Sequence, residues 1–588
     1  MARLSAGEAA AAAGGRVVAG DPQAPLSGAA IDSRAVRGGE LFFAFSGAHA
    51  DGHRFVGDAF GRGAAGAVVR DLAAAAASWP PLAAAVGLPE AAPSGAHAPP
   101  AADGGEAGPA VIQVADTLAA LHEVARSVRR RVPRRLVGIT GSAGKTTTKE
   151  LLAAMLARRF RVARNPGNFN NLYGFPLALL NVSDDAEWMV AELGMSTPGE
   201  LRQLSLLGRP DVALFTVVRP AHLQAFDSLR GIADAKAELL AGLAPDGLLV
   251  ANADDPEVVR IAAQGAGRRR VVWYGIRAAA AVEAGAGGKS AAAASADAAQ
   301  GPGPSAGGDE PAAPPRVDVA ARDLVPGPGG IGSRFTLWAG GQSQEVRLPL
   351  HGLYNVENCL AAAACAFTLG VPLAEIAAAA AEARPAAGRG VVHRVEGRRG
   401  GLTVIDDSYN SNPDALEKAL AGAAQLPAAR RLAVLGDMLE LGPAAPRFHR
   451  EGGRAAARLG FGPLLGVGEL ARELAAGARE GGAAADWRPD AAAAADWAAG
   501  TVRAGDVVLV KGSRGIGLDA VVRRLLALAA DGADGEDGED GADGEDGGAA
   551  GSTGTNRGKG ESAASGELAG IAESGTSAET TEHGGGKR

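Results

Sequence analysis

The chain has 588 residues, 47% of them hydrophobic, which is enough for several cores and argues for about three or four domains. Its formal net charge is −8, yet nine acidic residues fall between Asp531 and Asp546, so the remainder is nearly neutral and gives nucleic-acid binding no support. Two cysteines, Cys359 and Cys365, make no disulfide framework; with no signal-like leader and no run of about eighteen apolar residues to span a membrane, cytoplasmic residence is expected.

Three stretches are low in complexity: 73–109, 277–315 and the Gly/Asp/Glu-rich tail 531–588. Few of their residues are large and apolar, so burial cannot offset the entropy of ordering, and all three are expected to be mobile. The tail reads as a solubilising extension. The arginine-rich segment 129–135 reads as a solvated helix end and linker.

The stretch 136–148, LVGITGSAGKTTT, carries the clearest chemistry. An apolar strand feeds a glycine turn that opens a helix expected over 146–159. Backbone N–H groups of such a turn face polyphosphate, Lys145 reaches the terminal phosphates and Thr146 can hold Mg²⁺. The pattern is a variant of the usual phosphate loop, because Ile139 stands five places before Gly144 and Gly138 lies one place too early. ATP is the expected nucleotide.

Apolar runs at 188–192, 212–218, 248–251 and 270–274 alternate with helical or Gly/Pro-marked stretches, which predicts a doubly wound α/β sheet. Runs at 335–338 and 345–348 flank Gly340-Gly341 as a hairpin. A second set, 402–405, 432–435, 464–467 and 507–510, predicts a separate Rossmann-like lobe.

Polar groups gather at strand ends, where open α/β sheets place ligands. Glu192 ends one run and reads either as a Mg²⁺ ligand or as an exposed carboxylate. His222 follows another run, with Lys236 fourteen residues further on; alone, such a pair reads more simply as structural. Asn355 and Asn358 share one helical face and read as caps or as readers of an adenine edge. The turns 406–413, 436–442 and 511–515 follow three strands of one lobe and form a site by geometry.

Taken together, DSR at 32–34, DGHRF at 51–55, TGSAGKTTTKE, GNFNNLYGFPLALL, AELGMSTPGE, AHLQAF, AKAE, NVEN, IDDSYNSNP, GDMLELG and KGSRG resemble the Mur ligases, ATP-dependent amide-bond-forming enzymes of peptidoglycan synthesis. The resemblance covers about residues 4–528 apart from the inserts. It implies a three-domain Mur ligase architecture. A small N-terminal α/β domain (1–110) would bind the UDP-substrate, and a central P-loop doubly wound domain (111–384) would bind ATP. A C-terminal Rossmann-like ligase domain (385–530) and a tail (531–588) complete the chain. The DDSYN-x-NP and GDMLELG strings resemble the member that joins D-Ala-D-Ala to UDP-N-acetylmuramoyl-tripeptide, acting as a monomer.

Site residues follow from the resemblance. Lys145, Glu192, His222 and Lys236 would be catalytic, with Thr146, Glu192, His222 and Lys236 at the metal, and Lys236 carbamylated by CO₂. The loop residues Gly141, Ser142, Ala143, Gly144, Lys145, Thr146 and Thr147, together with Asn355, Asn358, Arg389 and Asp407, would bind ATP. Ser33, Arg34, His53, Asn170, Asn171, Tyr409, Asn410 and Asn412 would meet the other substrates. In this sequence Arg219-Pro220 and Asp227 replace the small or glycine-containing turn usual around His222. Two alternatives stay open: another amide ligase of the superfamily, such as an amino-acid-adding muramoyl ligase or a folylpolyglutamate synthase, and an inactive nucleotide-binding regulator.

Overall fold

The computed structural model describes residues 4–47, 50–88, 108–220, 223–267, 269–276, 315–395 and 401–530. His222, most of the 277–315 insert and the 531–588 tail lie outside the described residues. The chain divides into two compact units, 1–133 with 165–185 in the first, and 134–164 with 186–535 in the second.

In the first unit, β1 (Arg16–Ala19), β2 (Gly28–Ala30), β3 (Glu40–Phe43), β4 (Gly66–Val69) and β5 (Ala110–Gln113) form a sheet of order β1-β5-β4-β3-β2, parallel except for β1. β5 straddles the boundary expected at 110 and is bonded into this sheet. The expectation of mobility over 73–109 is corrected at its start. Helices Leu72–Ser78 and Pro80–Val86 bury Ala75, Trp79 and Leu82 in the core with Phe42 and Val69. Asp71 caps the first helix and Pro80 opens the second, so alanine-rich composition concealed two well-signalled helices. The segment 165–185 is tied in by Asn181, whose amide accepts from the Ala29 N–H and donates to its carbonyl, both at 2.8 Å.

In the second unit, β6 (Arg135–Thr140), β7 (Val162–Arg164), β8 (Trp188–Glu192), β9 (Val212–Phe215), β10 (Leu248–Asn252), β11 (Arg270–Gly275), β12 (Val319–Pro326), β13 (Ser333–Ala339) and β14 (Gln342–Leu348) form a sheet of order β14-β13-β12-β11-β10-β9-β6-β8-β7. β7 to β12 are mutually parallel with β6, and β13–β14 is the expected hairpin. β6 and β9 are neighbours, and the chain leaves β6 for β7 on one side and β9 for β10 on the other, so the loop after β6 sits at a topological switch point. The helix Leu353–Thr368 is apolar all round from Cys359 to Ala366 and wholly buried there, as a core helix must be. It packs in one core with the helix Lys145–Leu156.

The other sheet of this unit contains β15 (Val391–Val395), β16 (Leu402–Asp407), β17 (Arg430–Gly436), β18 (Phe461–Val467), β19 (Ala485–Arg488) and β20 (Asp506–Lys511), ordered β15-β16-β20-β17-β18-β19. All neighbours are parallel except β15–β16. Strand alternation feeds two cores: Ile405, Leu435 and Leu509 face one layer of helices, Val404, Val434 and Val508 the other. Because β20 lies between β16 and β17, the three polar turns read from sequence end side by side.

Candidate active site

The phosphate loop is shaped by what glycine lacks. Gly141 has φ +153° and Gly144 +81°, and a Cβ would lie 1.9 Å from Thr216 Oγ1 at the first and 2.1 Å from Asn358 Oδ1 at the second. Neither position tolerates a side chain. Ser142 N–H donates to the Val217 carbonyl at 2.7 Å, and Thr216 Oγ1 donates to the Ala143 carbonyl at 2.7 Å, so the loop is braced on the end of β9. The helix then begins at Lys145 rather than Thr146 and stops at Leu156, short of 159.

Lys145 Nζ donates to the Gly141 carbonyl at 2.9 Å, which folds the side chain back over the loop. Burial lowers its ammonium below the ordinary range, Glu192 opposes that, and Arg389 adds to it. Thr146 Oγ1 donates to Glu192 Oε2 at 2.6 Å. Glu192 is only 3% exposed, and burial alone would raise its carboxyl. Lys145, Arg389, the Thr146 bond and Lys149 together outweigh burial and hold it below the usual value, hence ionised. A hydroxyl and a carboxylate converging beside a phosphate loop are the hard oxygen donors Mg²⁺ takes alongside phosphate and water. Among the described residues no three His, Cys, Asp or Glu side chains converge as a metal cage.

Lys236 occupies the last turn of the helix Leu229–Ala237 and is 3% exposed. Burial first, and the charge of Lys145 second, push its amine well below the ordinary lysine value. The neutral amine is therefore more accessible here than in an exposed lysine.

One cavity of about 890 Å³, counting its open mouth, joins the phosphate loop to the C-terminal sheet. Ser142, Ala143, Gly144 and Thr147 line one end. Asn252, Tyr274, Tyr354, Glu357 and Asn358 follow, and Arg389, Asp407, Asn410, Asn412 and Lys511 close it from the other lobe. Asn358 lines the cavity but Asn355 does not. Asn355 Oδ1 accepts from Asn358 Nδ2 at 3.1 Å while its own Nδ2 donates to the His351 carbonyl at 2.7 Å. Asn355 thereby orients Asn358 at the cavity wall.

Lys511 is the residue sequence reasoning passed over, although the KGSRG turn pointed to it. Its Nζ donates to Asp407 Oδ2 at 2.7 Å and to the Asn410 carbonyl at 2.8 Å. Burial raises Asp407's carboxyl more than Lys511 and Arg389 lower it. Arg389 lies 4.2 Å and Arg514 5.3 Å from the Tyr409 ring centre, and Arg514 also donates to the phenol oxygen at 3.3 Å. Asn412 Oδ1 accepts from Ala415 N–H at 2.9 Å as the cap of the helix Pro413–Ala424, which leaves its NH₂ for a ligand.

Ser33, Arg34, His53, Asn170 and Asn171 all belong to the first unit. Ser33 is buried, and Arg34 forms an ion pair with Asp32 at 2.8 Å. His53 is 1% exposed; its Nδ1 meets Asp51 at 2.7 Å and its Nε2 accepts from the Arg70 and Asp71 N–H groups at 3.1 and 3.2 Å. Two donors at Nε2 place the proton on Nδ1. Both nitrogens are engaged by the fold, where His53 braces the turn after β4 against Asp51. Asn171 Oδ1 accepts from the Tyr173 and Gly174 N–H groups at the start of the helix Gly174–Asn181.

Family profiles match along the chain: the Mur ligase family catalytic domain at 25–129, the Mur ligase middle domain at 139–299, and the Mur ligase glutamate ligase domain at 392–514. The chain belongs to the Mur ligase family. Among its relatives, the UDP-N-acetylmuramoyl-tripeptide–D-alanyl-D-alanine ligase of Mycobacterium tuberculosis is 36% identical over 522 residues, covering 84% of this chain and 91% of that protein. The crystal structure of MurF from Acinetobacter baumannii superposes with a TM-score of 0.69 at 25% identity, covering 89% and 99% of the two chains. That of MurF ligase from Thermotoga maritima in complex with ADP shares the fold, with a TM-score of 0.63 at 23% identity over 86% and 98%.

Proposed function

We propose that this chain is the ATP-dependent ligase that joins D-alanyl-D-alanine to UDP-N-acetylmuramoyl-tripeptide, giving the pentapeptide precursor of peptidoglycan, ADP and phosphate. The observation that carries the reading is the cavity on which the phosphate loop, Thr147 and the Arg389–Asp407–Lys511 cluster of the other lobe converge. The sequence identity to the Mycobacterium tuberculosis ligase supplies the substrates.

Amide formation from a carboxylate is uphill, so the carboxylate is activated first. A carboxylate oxygen of the tripeptide attacks the γ-phosphorus of ATP and ADP leaves. The amine of D-Ala-D-Ala then attacks the acyl carbon, loses a proton, and the C–O bond to phosphate breaks. Two anions must meet in the first step, and the loop N–H groups, the helix N-terminus and Lys145 offset their repulsion. Thr146 and Glu192 would hold Mg²⁺, which when bound adds further positive charge at the phosphates. Asn358, oriented by Asn355, faces the base, and Asp407, held by Lys511, faces the ribose. Arg389 adds charge near the phosphates. Tyr409, Asn410 and Asn412 serve the incoming dipeptide, while Ser33, Arg34, Asn170 and Asn171 in the first unit serve the UDP-substrate.

Lys236 is assigned as a carbamate. Its neutral amine attacks CO₂ with loss of one proton, which turns a buried amine into an anionic oxygen donor. The low basicity imposed by burial supports this, because only the neutral amine is nucleophilic. His222 joins the same reading as a metal ligand from sequence alone. The protein is placed in the cytoplasm as a monomer.

The test is phosphate release from ATP and Mg²⁺ with UDP-muramoyl-tripeptide, with and without D-Ala-D-Ala, with product mass recorded. Release that needs both substrates and yields pentapeptide is expected. Release with a free amino acid in place of the dipeptide would reassign the chain to another ligase of the family.

A further inference from the structure

Arg219 belongs to neither the phosphate loop nor the residues assigned to substrates, yet it touches both sides of the cavity. Its N–H donates to Ser142 Oγ at 3.0 Å, and that hydroxyl donates back to the Arg219 carbonyl at 2.9 Å, so its backbone is clasped to the phosphate loop. Its guanidinium divides between two carboxylates. The first is Asp255 at 2.6 Å, 1% exposed, the cap of the helix Pro256–Gly265. The second is Asp414 at 3.0 Å, in the first turn of the helix Pro413–Ala424 on the other lobe. Asp414 meets Lys418 at 3.4 Å, and Lys418 meets Glu357 at 3.3 Å on the helix Leu353–Thr368. Five alternating charges, Asp255–Arg219–Asp414–Lys418–Glu357, thus run from the central sheet to the C-terminal lobe and back. The last three line the nucleotide cavity.

We propose that Arg219 is a positioning residue of the nucleotide site, holding the helix Pro413–Ala424, and with it the cavity-lining Asp414, Ala415 and Lys418, in register with the phosphate loop. The inference rests on the nucleotide reading of that cavity. A guanidinium suits this bridge because its planar fork directs separate N–H groups to the two carboxylates in fixed directions, whereas an ammonium is a compact charge on a flexible stem. Each exposed pair taken singly would contribute little. Arg219 differs in having one arm anchored on a buried carboxylate that is itself fixed as a helix cap, so the arm reaching Asp414 is preorganised.

Titration calorimetry with ADP and Mg²⁺ tests this on the full chain, using Arg219→Ala, Asp414→Ala and the double variant. Each single change is expected to weaken ADP about tenfold, the effect of losing one charge-assisted bond. The double variant should bind within about twofold of the weaker single, since both remove the same tie. Arg219→Lys and Asp414→Asn, which keep size, should fall between, with thermal midpoints near that of the unaltered chain, and they decide the matter if an alanine variant does not fold. Unchanged ADP affinity in the variants, or losses that add, overturns the inference while leaving the nucleotide reading intact. An unaltered chain that binds no ADP overturns both.

Discussion

The two halves of the nucleotide cavity are built by opposite means. The phosphate-loop half is one contiguous stretch, 138–148, in which backbone direction matters most and two glycines sit where a Cβ would collide within about 2 Å. The C-terminal half is gathered from the ends of strands 104 residues apart, and its chemistry lies in side-chain charges such as Asp407 and Lys511. A local backbone device is rigid and fails by steric conflict. A device assembled from distant charges fails by leaving a partner buried and unpaired.

The largest effect should come from the loop half. Lys145→Ala is expected to lower turnover at least about 10²-fold, as when one well-placed charge donor is removed from a developing anion, with the thermal midpoint little changed. A variant turning over normally in steady-state kinetics would remove the phosphate loop from the mechanism. In the other half, Lys511→Met should lower stability by about 3 kcal/mol, because Asp407 is left buried without its cation. Urea unfolding of Lys511→Met with and without Asp407→Asn sharpens the comparison: the second change should restore part of the loss. If it restores nothing, the pair is not what organises that half.

The smallest effect concerns Lys236, whose role joins stability and chemistry. Its value in the folded chain lies below that of the unfolded chain, so the unfolded state holds more protons between the two values and stability rises with pH across that window. In CO₂-free buffer near neutrality, Lys236→Met should therefore stabilise by about 1 kcal/mol. The gain should shrink as pH approaches the ordinary lysine value of 10.5. Adding bicarbonate to the unaltered chain should close the gap and add the mass of one CO₂ in native mass spectrometry. An active enzyme without that mass, indifferent to bicarbonate, sinks the carbamate.

Much of the architecture was legible in the sequence because it is periodic or local. β8 was bounded as observed, the hairpin at Gly340-Gly341 stands, and the four strands read in the C-terminal lobe are all present, each somewhat longer. β9 ends at Phe215, not at 218, because the chain there leaves the sheet to brace the phosphate loop through Thr216 and Val217. Missed elements were short or compositionally disguised. β7 has three residues, β15 contains His393 and Arg394, and the helices between 72 and 86 are mostly alanine.

From its sequence alone the chain determined a variant phosphate loop, two βα-alternating regions and a set of polar turns at strand ends, since glycine placement, apolar period and motif strings are local properties. Only the tertiary structure decided what each polar group faces. Asn355 and His53 look as available in sequence as Asn358 and Arg389, yet Asn355 is turned to His351 and Asn358, and both ring nitrogens of His53 are engaged within the fold. Arg219 looked like a departure from a loop pattern and sits between two carboxylates 36 and 195 residues away. Partners at such separations are set by strand order and register, and a carboxylate's or amide's chemistry is set by its partners.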